Sequence, residues 1–330
     1  MNNTTTTISV PVHGFYPSRP IQFGILLSLT ILSIPCFTFV FYHTLCNRTF
    51  YRVLGNHVII LLLISNSIQT FTDVPMRLSY YFTGTIWPRT VHYCYFYYFI
   101  DFYLFTTCFL LITWASFERH IFIFHPQFFN RFSARVIGHY IPLTFCIVYP
   151  LIYYTIFIFF YPCKSYYDEE TSLCVAACYL WVSTVMALYE QIAHGFALMF
   201  LIFMFNIMLF FRIIRQKRRM GRQMTWNKNR NMAIQLFSIC FLLFLTNGGY
   251  FLVQLGQMLW NPKFGQEFLK WLFPLSMCMP PLTPLMCLHT IHNLTEKIKR
   301  FVYCGKHNAV APLTATNAKH MTLTNIRRHY

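Results

Sequence analysis

Residues 94–120 read CYFYYFIDFYLFTTCFLLITWASFERH, an apolar and aromatic run that holds one acid, Asp101, and ends in the adjacent acid and base of Glu118-Arg119-His120. A helix needs about 20 apolar residues to cross roughly 30 Å of hydrocarbon, and this stretch supplies them. It shows no period-two alternation. It therefore reads as a helix, whose backbone polar groups are satisfied within the segment, and not as a barrel strand. Reading outward, comparable runs near 22–45, 57–75, 137–161, 188–212, 232–258 and 268–291 bring the total to seven. Composition agrees, since 56% of the 330 residues are hydrophobic and 11% are charged, against about a quarter charged in a soluble domain. The sequence predicts an all-α membrane protein, a seven-transmembrane helix bundle in one domain over 21–304, with a tail at 1–20 and a polar, Thr-rich tail at 305–330.

The formal charge of +17 matters less than where it lies. Lys and Arg fall between apolar runs, not on a solvent-facing fold, so nucleic acid is not an expected partner and membrane lipids are. With the N-terminus outside, 20 of the 26 Lys and Arg fall in inner loops and the C-terminal tail, eight of them between Arg212 and Arg230. The inverted topology would reverse that ratio, so the N-terminus is expected outside and the C-terminus in the cytosol. No charged n-region and cleavage site opens the chain, so the first span reads as an uncleaved anchor. Asn2 and Asn3 head two sequons on the outer side and are candidate glycosylation acceptors, the alternative being an unmodified disordered tail. Most of the 12 cysteines lie in apolar runs, where Cys packs as a small hydrophobe. Cys163, Cys174 and Cys178 instead share an outer loop, with Cys94 nearby. Disulfides are expected there, and four cysteines allow three pairings.

A lone Arg closing an apolar helix is ordinarily a snorkelling interface residue. Here Cys94 stands 25 residues before Arg119 and an acid precedes the Arg, and in this combination the run resembles the third helix of rhodopsin-like G-protein-coupled receptors. In overall layout the resemblance extends over roughly 20–304. It implies a disulfide from Cys94 to the second outer loop, with Cys174 favoured. It implies an activation switch at Glu118, Arg119 and His120, in place of the usual Asp-Arg-Tyr, and a heterotrimeric G protein as partner. The carboxylate of Glu118 beside Arg119 would hold the guanidinium until the acid is protonated or moved. After the seventh span, Leu294, Ile298, Phe301 and Val302 share a face opposite Lys and Arg, which fits a helix lying in the interface and resembles the family's short amphipathic eighth helix. Cys304, directly after it, is a candidate for palmitoylation.

Asp101 lies two turns from Cys94 inside an apolar helix, so it is either a ligand contact or the partner of a Tyr or His in the bundle. It stands where amine receptors of this family carry an aspartate. Glu190 and His194, at i and i+4, share a helix face and line the same cavity or meet headgroups. Asp168, Glu169 and Glu170 in the loop above read as a solvated loop or as an acidic rim, and taken with Asp101 they favour an extracellular ligand that is a cationic amine or a basic peptide. The chain departs from the family pattern elsewhere: Asn66 replaces the second-helix aspartate, and Thr246-Asn247-Gly248-Gly249-Tyr250 stands where Cys-Trp-x-Pro is usual. Leu282-Thr283-Pro284 keeps the proline of the seventh helix without its polar neighbours. Met277 occupies the place of a retinal-binding lysine, so no cofactor is expected. His120 with His125, and His289 with His292, build no repeated metal-ligand set, and neither a metal nor an enzyme activity is expected. A channel or transporter is the alternative, but it would show polar residues repeated along several helices.

Overall fold

The structure is a computed structural model that describes residues 19–289, apart from 47–53, 86, 87, 89, 125, 164–166, 169–172, 175, 176, 220–225 and 262. Among the described residues, six helices are long and apolar enough to cross a membrane: α1 Arg19–Thr44, α2 Leu54–Thr83, α3 Val91–Phe122, α4 Phe132–Phe160, α5 Thr184–Arg212 and α6 Gln235–Leu259. The seventh, α7, is a pair, Gln266–Ser276 and Met279–Leu288, bent by 50° at its break. The expected seven spans are therefore present. The expected eighth helix lies outside the described residues.

Without water to bond to, polar groups in these spans turn inward on their own helix. Thr30, Thr38, Thr44, Thr70, Thr72 and Thr113 each donate to the carbonyl four residues back, which hides the hydroxyl from lipid. Large apolar side chains such as Ile31, Phe145, Ile152, Phe200, Phe211 and Leu252 face outward. That would be a liability in water and is what a lipid-facing surface requires.

α3 is the hub, packing on α2, α4, α5 and α6. Its Phe109, Leu111 and Ile112 join Leu62 of α2, Ile202 of α5 and Ile239 and Leu243 of α6 in the main buried cluster. The second segment of α7 closes the core by packing on α1, α2 and α6. The α7 break has a plain cause: Pro280 and Pro281 open its second segment, and proline has no N–H to give the turn before it. Ahead of the paired glycines, α6 takes a wide turn over Phe244–Gly248 with i to i+5 bonding. A matching wide turn over Glu190–Phe196 interrupts α5. Such turns recur at functional sites. Between α4 and α5 the loop forms a short antiparallel hairpin of β1, Tyr167–Asp168, and β2, Leu173–Cys174.

Close approach of α5 and α6 depends on Gly195, since a Cβ there would run into the ring of Phe251. We predict that Gly195→Val destabilises the detergent-solubilised protein by about 1–3 kcal/mol, read as a fall in unfolding temperature. Gly24→Ala, inside α1 where a Cβ would meet nothing within 4 Å, does not lower that temperature.

Candidate functional site

The apolar run of the second span stops at residue 75, and from it the sequence places Arg77 beyond the span. The helix instead continues through Pro75 to Thr83, and Arg77 is buried, with 6% of its surface exposed. It can be buried because two carboxylates meet it. Arg77 Nε lies 3.1 and 3.0 Å from the oxygens of Asp73, one turn back on α2, and its Nη2 lies 2.9 Å from Asp101 Oδ2 on α3. The rings of Tyr97 and Phe273 flank the guanidinium at 5.3 and 5.4 Å, each adding a cation–π contact. Asp101 is thus inside the bundle as expected, but its partner is an arginine that the apolar pattern hid.

This triad separates two cavities. The one nearer the Cys94 end of the bundle is lined by Arg19, Arg77 and Lys270 with a group of tyrosines. Asp101 faces the deeper one, together with Thr106, Tyr154, Glu190, His194, Asn247, Tyr250 and Met277. Phe273 lines both. The two wide turns explain the deeper wall: that of α5 carries Glu190, Gln191 and His194, and that of α6 carries Asn247. Tyr154 of α4 donates to Glu190 Oε1, Thr106 Oγ1 lies 2.7 Å from the same phenol oxygen, and His194 Nδ1 lies 3.1 Å from Glu190 Oε2. His194 Nε2 meets Tyr149 at 2.8 Å. Glu190 and His194 therefore do line one cavity with Asp101. The carbonyl oxygen of Asn247, fully buried, has no hydrogen-bond partner. Tyr179, in the turn before α5, is also fully buried, and burial, then the charge of Glu190, pushes its phenol up.

At the other end, Glu118, Arg119 and His120 are all buried, and the geometry corrects the expected clasp. Glu118 does not hold Arg119. Its Oε1 is bonded to His139 Nδ1 of α4, and His139 Nε2 lies 3.0 Å from His57 Nδ1 of α2. Arg119 Nη2 donates to the Gly55 carbonyl at 2.7 Å, and His120 Nε2 meets the Phe205 carbonyl at 2.9 Å. A neighbouring polar knot ties α3 to α5 and α6 through Asn206, 3.0 Å from Ser116 and 3.3 Å from the Cys240 sulfur. Asn66 is buried and donates to Leu62 O at 2.8 Å. Pro284 is buried in the second segment of α7.

Cys163 and Cys178 are joined to each other, and Cys94 is disulfide-bonded too, to neither of these two. The side chain of Cys174 lies outside the described residues, as do those of Asp168, Glu169 and Glu170. So do Asn2, Asn3, residues 293–302 and Cys304.

Residues 38–286 match the family described as 7 transmembrane receptor (rhodopsin family), and no curated protein matches the chain. The match covers well over half of the chain, and the protein belongs to that family. It is a multi-pass membrane receptor of the G-protein-coupled signalling class, and membership leaves the channel or transporter reading without support.

Removing Arg77 leaves two carboxylates facing each other in a buried setting. Arg77→Met is expected to cost about 3–5 kcal/mol of stability, while the combined change with Asp73→Asn and Asp101→Asn recovers most of the loss. Thermal unfolding of the solubilised variants checks both outcomes.

Proposed function

We propose that this receptor sits in the plasma membrane with its N-terminus outside and answers an extracellular ligand carrying a protonated amine. The Glu190 carboxylate is the counter-charge, and a heterotrimeric G protein docks at the Arg119 end. The observation that carries the reading is the state of the carboxylates in the deeper cavity. Asp101 is matched by Arg77, whereas among the described residues Glu190 faces the cavity among phenols and an imidazole, with no guanidinium or ammonium paired to it. A buried carboxylate without a strong cation is the natural partner of a ligand ammonium. The unpartnered Asn247 oxygen adds an acceptor on the same wall.

The orientation is supported by the concentration of Lys and Arg in the loops on the Arg119 side. Oxidised cysteines at the opposite end fit an extracellular compartment, and Cys174 is the partner we assign to Cys94. A ligand that draws on Glu190 pulls at the α5 turn. The shift reaches the other end through α3, the helix that carries Asp101 and Glu118 alike and contacts α5 along its length. Coupling then requires Arg119 to leave the Gly55 carbonyl and Glu118 to leave His139.

In a second-messenger assay across a panel of amines and basic peptides, Glu190→Gln is expected to weaken the active ligand by about ten- to a hundredfold, the worth of one charged hydrogen bond. Arg119→Ala is expected to abolish signalling with ligand binding retained. Potency unchanged by Glu190→Gln would move the counter-charge elsewhere. His139→Phe, which strips Glu118 of its partner, is expected to raise signalling without ligand. Basal second-messenger level relative to surface expression measures it.

A further inference from the structure

The cavity above the triad has a chemistry opposite to that of the deeper one. Three cations line it, Arg19 at the start of α1, Arg77 on α2 and Lys270 at the start of α7, among the rings of Tyr80, Tyr93 and Tyr97. Their charges are not equally available. That of Arg77 is taken up by Asp73 and Asp101. Lys270 has Glu267 at 2.7 Å, but Glu267 has 82% of its side chain exposed, and a pair so open to solvent leaves much of the ammonium's capacity unused. Among the described residues no carboxylate forms an ion pair with Arg19 at all.

Arg19, exposed at the start of α1, makes two contacts. Its guanidinium lies over the Tyr80 ring at 5.6 Å and packs against the backbone of Gly84, at the point where any Cβ would collide with it. Gly84 has a φ of 76°, a left-handed conformation that glycine adopts without strain. The turn after α2 is therefore shaped to let the guanidinium approach. A guanidinium and an ammonium lining one cavity together with tyrosine hydroxyls make a receptor for anionic oxygens.

We propose that this vestibule is an anion subsite, in which Arg19 and Lys270 bind a carboxylate or phosphate group above the Arg77 layer. The inference rests on reading the bundle as a receptor for an extracellular ligand, and it adds a second requirement to it. The preferred ligand is amphoteric, with its anionic group in the vestibule and its ammonium in the cavity below. A purely cationic amine satisfies only the lower half.

The test uses the purified full-length receptor in detergent and chloride buffer, with thermal unfolding followed against inorganic phosphate, acetate and ethylamine separately. The expected result is saturable stabilisation of the wild type by phosphate or acetate. In the Arg19→Gln, Lys270→Gln double variant, half-saturation rises by about ten- to a hundredfold for each charged hydrogen bond lost. Gly84→Ala, which keeps both charges but pushes a methyl against Arg19, weakens anion binding in the same direction. Glu190→Gln leaves the anion response intact and removes only that to ethylamine. Loss of the ethylamine response in the wild type, with the anion response present, counts against the amine reading and supports the vestibule. Acetate acting at lower concentration than phosphate assigns a carboxylate-bearing ligand, and the reverse order assigns a phosphate-bearing one. Stabilisation equal in the wild type and the double variant is the general effect of excluded anions, and it overturns the inference.

Discussion

A guanidinium inside hydrocarbon has to bring its counter-charge with it. Arg77 does so twice, from Asp73 on its own helix and from Asp101 on the next, and much of the upper bundle follows from that arrangement. The contact pins α2 to α3 at a depth where neither has water to fall back on. It matches the charge of Asp101, which still faces the deeper cavity. It also divides the interior into a vestibule lined by cations and a cavity lined by carboxylates, with the rings of Tyr97 and Phe273 beside the guanidinium between them. The same logic operates at the opposite end with weaker partners. There Glu118 is satisfied by an imidazole and Arg119 by a backbone carbonyl. Neither is as firmly matched as Arg77.

The seven spans were legible because the physics that makes them is local: a long apolar run has no stable place but lipid, and its length sets the crossing. The spacing of Cys94, Asp101 and Arg119 was legible for the same reason, since all three sit on one helix. What the sequence hid was every partner lying on another element. The pairing of Glu118 with His139 spans two helices, and nothing in a run of apolar letters around His139 marks it as an acceptor's neighbour. Arg77 was hidden by a different failing. The hydrophobic window closes at Pro75, yet the i, i+4 spacing of Asp73 and Arg77 was present in the sequence. It is the signal that would have extended the helix by two turns. The cavity walls of Glu190 and Asn247 depended on wide turns whose location no residue pattern specified, although the paired glycines after Asn247 marked the region.

The break in α7 has a consequence beyond its angle. In an unbroken helix the carbonyls of Ser276 and Met277 would each accept an N–H from four residues ahead, and those positions are Pro280 and Pro281, which have none to give. Both residues stand in the wall of the deeper cavity. The prolines therefore change the chemistry of that wall as well as its shape. They withhold the usual helical donors from two backbone oxygens at the place where Glu190 and Asn247 already present acceptors.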